Sequence, residues 1–157
     1  MSEEVDDDLA LFPAWRQAVQ DFLSEFAYGD VVPHTWLERH FGMLSLSDSQ
    51  RLTAEAFRAR QFSWLASIEA FKHELLQAHN IYLQSVRGEG YRWVPPAEQT
   101  GLANKEFERD AKRAFRSVGQ RLRHVRIAEL TDDQRRENVD ALAKVANLRG
   151  MARKALR

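Results

Sequence analysis

The spacing of apolar residues predicts four helices over residues 13–79. The first begins near Pro13, and Pro33 opens the second, since proline suits the first turn of a helix. The third covers roughly 49–60 and the fourth about 62–79. Their predicted inward faces hold, in chain order, Trp15, Val19, Phe22, Leu23 and Phe26; Trp36, Leu37 and Phe41; Leu52, Ala56 and Phe57; and Trp64, Leu65, Ile68, Phe71, Leu75 and Leu76.

After residue 80 the pattern changes from a helical period to a period of two. In residues 81–86, Ile81, Leu83 and Ser85 alternate with Tyr82, Gln84 and Val86, which predicts a strand, and residues 91–94 are predicted to return as a second strand. Gly88 and Gly90 lie between them and can take positive φ, so they predict a tight turn. Pro95 and Pro96 end the second strand, because proline cannot donate to a sheet ladder.

Two further helices follow the prolines. A heptad-like stripe predicts the first over about 97–127, and its members are Ala103, Phe107, Ala111, Ala114 or Phe115, Val118, Leu122 and Val125. Thr131 and Gln134 form a capping-box pattern at the start of the last helix. A short loop between two helices predicts an antiparallel hairpin. The last helix can cover the stripe with Val139, Leu142, Val145 or Ala146, and Leu148, so a homodimer is compatible but not required.

The net charge of zero conceals a strong polarity along the chain. Residues 1–50 carry two basic and ten acidic side chains, whereas residues 101–157 carry fifteen basic and eight acidic ones. Such a chain can bind a polyanion with its basic end, stack head to tail with itself, or fold so that its halves screen each other. Residues 1–10 are polar without periodicity, which predicts an acidic flexible arm.

Composition excludes several classes of site. Cysteine is absent, which rules out disulfides, a cysteine nucleophile and cysteine-based metal centres. The five histidines lack metal-binding spacing, and neither a Gly-x-Ser-x-Gly elbow nor a complete phosphate loop is present. We therefore expect no enzyme, no metal and no cofactor. No apolar run reaches about 18 residues, and the acidic N-terminus is unlike a signal peptide, which favours a cytoplasmic protein without membrane contact.

The segment Ser85-Val86-Arg87-Gly88-Glu89-Gly90-Tyr91-Arg92-Trp93, preceded by the fourth helix, resembles the wing of OmpR-type winged-helix DNA-binding domains. In that family a helix leads into a strand that ends in Val-Arg-Gly-x-Gly-Tyr and an aromatic residue. The helix lies in the major groove, and the basic wing contacts the neighbouring backbone or minor groove. The resemblance implies wing contacts from Arg87 and Arg92, a turn shaped by Gly88 and Gly90, and anchoring of the wing by Tyr91 and Trp93.

The predicted fold is therefore mainly α. It consists of the arm at 1–10, a winged-helix-like domain with a short β-hairpin at 11–95, and an antiparallel helical hairpin with a basic face at 96–157. Duplex DNA is the expected partner, and a small bacterial or phage transcription regulator is the expected function. On the helix before the wing, the predicted contacts are Ser63, Lys72, His73 and Gln77. On the long helix, Lys105 begins a basic ridge of predicted phosphate contacts, which are Arg109, Lys112, Arg113, Arg116 and Arg123.

A protein-interaction module is the alternative. The fourth helix also carries Glu69 and Glu74, and carboxylates are repelled by phosphates. In this interpretation the acidic half docks onto a basic partner, such as part of a bacterial or phage nucleic-acid-processing complex. The basic ridge is then a solvated face paired with Glu106, Glu108 and Asp110.

Overall fold

The computed structural model describes residues 12–43 and 51–156. The predicted arm at 1–10 lies outside these residues. The chain divides into two compact units, Met1–Ala97 (unit 1) and Glu98–Arg157 (unit 2). Over the described ranges the secondary structure is mainly helical, as predicted, with one small antiparallel sheet. None of the helices found there combines the length and the apolar character needed to cross a bilayer.

Three helices of unit 1 are described. They are α1 (Ala14–Glu25), α2 (His34–His40) and α3 (Ala54–His79). The N-cap of α1 is Pro13 and that of α2 is Pro33, so the starts predicted from proline are confirmed. Helix α3 stops because Asn80 takes a left-handed conformation with φ of +55°. This cap lets the amide of Ile81 donate to the Leu75 carbonyl at 2.9 Å.

Helix α3 is one continuous element where two helices were predicted, so the predicted break near residue 61 is wrong. No glycine or proline occurs between residues 51 and 79 to interrupt it. Thr53 caps its start, and the Thr53 hydroxyl accepts from the Ala56 amide at 3.1 Å. Leu52 and Phe57 were predicted to face inward, yet both are exposed. The first turns of α3 therefore extend beyond the core.

The sheet of unit 1 has three antiparallel strands in the order β1–β3–β2. Strand β1 is Val31–Pro33, β2 is Leu83–Val86 and β3 is Gly90–Trp93. Strands β2 and β3 pair as the predicted hairpin, which is confirmed, with Leu83 opposite Trp93. Strand β1 pairs with the other edge of β3. The central strand of the sheet is thus β3, the second strand of the hairpin.

The core of unit 1 lies between the helices and one face of this sheet. Phe22 of α1 is fully buried and contacts the rings of Phe26, Phe71 and Trp93, with centroids 5.4, 5.8 and 5.0 Å away. The other buried members are Ala18, Val19, Val32, Trp36, Leu37, Phe41, Ile68, Leu75, Ile81 and Leu83. Because β3 contributes Trp93 to this cluster, the base of the hairpin is fixed to the core.

Helix α4 (Pro96–Arg123), which belongs to unit 2 from Glu98 onward, forms a helical hairpin with α5 (Asp132–Ala155), and a 3₁₀ turn at Ile127–Glu129 joins them. The capping box at Thr131 is confirmed, and the last turn of α4 accepts a hydrogen bond of 3.1 Å from Asn138 Nδ2 to the Leu122 carbonyl. Helix α4 ends at Arg123, earlier than the predicted end near residue 127.

The apolar stripe of α4 is only partly covered by α5. Among the residues of unit 2 that the structure describes, Gly119 alone is buried. Val139 and Leu148 were predicted to face inward, but they are 63% and 55% exposed. Phe107 and Val118 of the stripe are exposed as well. The two helices therefore do not form a closed core of their own.

Candidate nucleic-acid interface

The turn of the β-hairpin presents Arg87 to solvent. The Glu89 amide donates to the Val86 carbonyl at 3.0 Å, and Gly88 between them has φ of +78°. This combination is typical of a type II turn, in which the third position requires positive φ. Arg87 is exposed and makes no hydrogen bond or ion pair with any residue that the structure describes. The turn thus carries an exposed cation at its tip that forms no ion pair within the described residues, although the exposed Glu89 follows two residues later.

Gly90 has the positive φ predicted for it, at +158°, and it also shapes the sheet. It is the first residue of β3 and pairs with Val86 on one side and Pro33 on the other. A Cβ atom placed on Gly90 would overlap the backbone carbonyl of Val32. Only glycine therefore allows β1 to approach β3 this closely.

Arg92, the second predicted wing residue, lies in the sheet. It stands opposite Gln84 and donates to the Gln84 side-chain oxygen at 3.3 Å. Its side chain is half-buried, unlike that of Arg87. Arg92 therefore stiffens the hairpin, and the more accessible cation of the two is Arg87.

Lys72 turns toward its own unit. Its ammonium lies 3.7 Å from the Glu69 carboxylate and 5.6 Å from the centre of the Tyr91 ring. Burial, and secondarily the negative charge of Glu69, raise the pKa of Tyr91 above its ordinary value of 10.0. The positive charge of Lys72, a predicted DNA contact, is thus largely compensated within unit 1.

The pKa of Tyr91 gives a pH prediction. Folding raises this pKa, so the folded state favours the neutral phenol of Tyr91. The stability that this preference contributes is fully present below pH 10 and is lost as the pH rises through the pKa of Tyr91 in the folded protein. We expect Tyr91→Phe to reduce the fall in unfolding free energy between about pH 9 and about pH 11. Urea titrations of both proteins at the two pH values measure it. A fall identical to that of the wild type would contradict the prediction.

The outward face of α3 carries the other predicted contacts together with apolar side chains. Ser63, His73 and Gln77 are exposed, as a base-reading role requires. Phe62 and Leu65 are also exposed, at 72% and 55%, and so is Leu76. Leu65 and Leu76 were predicted to be buried, and that prediction is wrong. Both lie at the edge of the stripe that Ile68, Phe71 and Leu75 form on α3, and their side chains stay exposed. Sequence reasoning missed this mixed polar and apolar surface.

The predicted basic ridge of α4 is divided by local contacts. Arg109 lies 3.4 Å from the Asp110 carboxylate, and Lys112 lies 2.7 Å from that of Glu108. Lys105 and Arg113 are exposed and make no ion pair within the described residues. The remaining two ridge residues, Arg116 and Arg123, line a groove between α4 and α5.

Sequence reasoning missed two arginines of that groove. Arg149 and Arg153 of α5 line it together with Arg116 and Arg123. The signal was present as basic residues four apart on the last helix, but only the packing of α5 on α4 brings them to the same groove.

Comparisons with known proteins give no match: no protein-family model, no curated protein and no solved structure is similar to this chain. Within residues 12–43 and 51–156, no three histidine, aspartate or glutamate side chains come together as a group that could hold a metal ion. What the chain does is therefore inferred from the geometry and charge of its own residues.

Proposed function

We propose that this chain binds duplex DNA with unit 1, in the manner of a winged helix, and acts as a small bacterial or phage transcription regulator. The observation that carries the proposal is the exposed Arg87, without an ion pair in the described residues, at the tip of a hairpin fixed to the core. An arginine held there on a rigid support can contact a DNA phosphate without first breaking an internal ion pair.

The arrangement of elements supports this function. Helix α3 leads through a short break directly into β2 and β3, as the winged-helix resemblance implies. Both ends of the contact surface are firmly held, since α3 buries Phe71 and β3 buries Trp93 in the same cluster. The hairpin and α3 therefore keep a fixed spacing, which a protein needs in order to contact a groove and the adjacent backbone together.

The outward face of α3 supplies the groups for base contacts. Gln77 can donate and accept at an adenine edge, and Glu69 can accept from a cytosine amine. His73 and Ser63 add further hydrogen-bonding groups on the same face. With so few cations, this face contributes selectivity more than affinity, and Arg87 supplies the phosphate contact.

The test is fluorescence anisotropy of labelled random duplex DNA, titrated with the full-length protein at several salt concentrations. We expect Arg87→Ala to weaken binding and to lower the slope of log affinity against log salt by about 0.9 for the lost phosphate contact. Arg126→Ala is the matched control, because it removes the same charge from unit 2, where Arg126 pairs with Glu129 at 3.4 Å. The control is expected to keep the wild-type slope.

Two results would contradict the DNA proposal. One is the absence of salt-dependent binding by the wild-type protein even at low salt. The other is a salt slope for Arg87→Ala that equals the slope of Arg126→Ala. Either outcome removes the wing from the contact surface.

A protein-interaction module is the second candidate function, and the apolar side chains on α3 favour it. Phe62 and Leu65 are large, exposed and close in sequence to Glu69 on the outward side of the helix. A surface that mixes exposed apolar groups with carboxylates is typical of protein docking. If the wild-type protein fails to bind DNA in the titration, this face of α3 becomes the docking surface for a basic protein.

A further inference from the structure

A groove lies open between α4 and α5. It consists of two adjoining depressions of about 430 and about 310 Å³. Both are lined by Phe115, Arg116, Arg149 and Arg153, so they form one continuous channel. Along α4 it extends from Glu108 to Arg123, for which the helical rise gives about 22 Å. This length matches a helix of about four turns.

The floor of the groove is apolar. Ala111 and Phe115 contribute from α4, and Leu142, Val145 and Ala152 from α5. None of these side chains is fully buried, although each lies on the side where the two helices face each other. A two-helix unit whose facing residues stay accessible can gain stability by burying them against a third element. The floor therefore fits apolar side chains spaced three and four residues apart.

The rim of the groove is basic. Arg116, Arg123, Arg149 and Arg153 make no hydrogen bond or ion pair with any residue that the structure describes. The single carboxylate in the lining, Glu108, is already paired with Lys112 at 2.7 Å. Four guanidinium groups around one channel repel each other, and that repulsion is relieved by carboxylates, which arginine binds in a bidentate manner.

We infer that this groove binds an acidic amphipathic helix of a partner protein, with the partner's apolar stripe on the floor and its carboxylates at the four arginines. Duplex DNA matches the rim but not the apolar floor. A second copy of the same groove would bring eight arginines together, so like charges oppose a symmetric pairing there. The inference is independent of the DNA proposal, because it concerns unit 2, whereas Arg87 and α3 belong to unit 1.

The probe is a fluorescein-labelled synthetic peptide of about 16 residues, with leucine at helical spacing and glutamate beside the leucine stripe. An isomer with the same composition but no stripe is the peptide control. We expect saturable micromolar binding of the striped peptide to the full-length protein, and binding of the isomer at least tenfold weaker. Fluorescence anisotropy at near-physiological salt measures both.

Two groove variants and one control variant test whether the peptide binds in the groove. Arg149→Ala with Arg153→Ala is expected to weaken binding at least tenfold, and alanine preserves the helix. Arg121→Ala with Arg136→Ala is the matched control, since these two exposed arginines lie outside the groove and their loss changes net charge equally. Ala146→Phe fills the groove without changing charge and is expected to weaken binding to a similar extent.

Several outcomes would overturn the inference. They are no saturable binding of the striped peptide, equal binding of its isomer, or equal losses in the groove and control variants. If the groove variants instead lose affinity for a duplex oligonucleotide that displaces the peptide, nucleic acid is the occupant. If sedimentation shows a wild-type dimer that the groove variants dissociate, a second copy is the occupant. Arg87→Ala is expected to keep full peptide binding, which separates this test from that of the DNA proposal.

Discussion

Phe22→Ala is expected to lower the free energy of unfolding of unit 1 by about 3–5 kcal/mol. Phe22 is completely buried, and its ring contacts Phe26, Phe71 and Trp93. Truncation removes the apolar surface of the ring and leaves a cavity that α1, α3 and β3 can close only by moving together. Because that is a large share of the stability of a small domain, the variant is expected to unfold at much lower urea concentration.

Tryptophan fluorescence during a urea titration measures this change in unit 1 specifically. Trp15, Trp36, Trp64 and Trp93 all lie in unit 1, and unit 2 contains neither tryptophan nor tyrosine. Phe62→Ala is the matched control, because the same substitution at a 72% exposed side chain is expected to change stability by no more than about 0.5 kcal/mol. Similar losses in both variants would contradict the assignment of the core.

Gly90→Ala is expected to destabilise unit 1 by about 3 kcal/mol, the upper part of the usual cost of overpacking. The new methyl group would overlap the Val32 carbonyl, which belongs to the backbone of β1 and cannot rotate away. The strands β1 and β3 must then separate, at the cost of their pairing. Strand β3 would then lose β1, one of its two neighbours in the sheet.

Gly88→Ala separates this steric effect from backbone strain. Gly88 also has positive φ, but a Cβ there meets nothing within 4 Å. We therefore expect a loss of about 1 kcal/mol, which is the ordinary cost of a left-handed alanine. Fluorescence-monitored unfolding of the two variants compares them directly. Equal losses of unfolding free energy in the two variants would contradict this prediction, because they would mean that β1 can move away from β3 at little cost.

The elements of unit 1 that follow local rules were predictable. The proline starts of α1 and α2 and the alternation in β2 and β3 each have a cause within a few residues. The continuity of α3 was not predictable from the apolar pattern, because the spacing near residue 61 permits either one helix or two. Whether Leu65 and Leu76 are covered depends on what packs beside α3. That information lies in the distant residues of α1 and α2.

The candidate sites likewise divide into features with a local cause in the sequence and features that depend on packing. Exposure of Arg87 followed from its place in a glycine-containing turn. The pairing of Lys72 with Glu69 and of Lys112 with Glu108 depends on how long side chains rotate, which periodicity does not determine. The groove was not predictable, because the spacing of apolar residues specifies which faces meet but not how closely the helices approach. Arg149 and Arg153 line this groove because α5 lies beside α4.

The first ten residues of α3 contain no fully buried side chain, although the helix continues unbroken into the core. An ion pair of 3.7 Å between Arg60 and Glu38 helps to hold this segment, whereas the buried side chains of Ile68, Phe71 and Leu75 hold the remainder. The free energy of local opening must therefore rise along the helix from Ala54 toward Leu75. Amide hydrogens in the first turns exchange through brief fraying that leaves the core intact, while those near Phe71 exchange only when unit 1 unfolds.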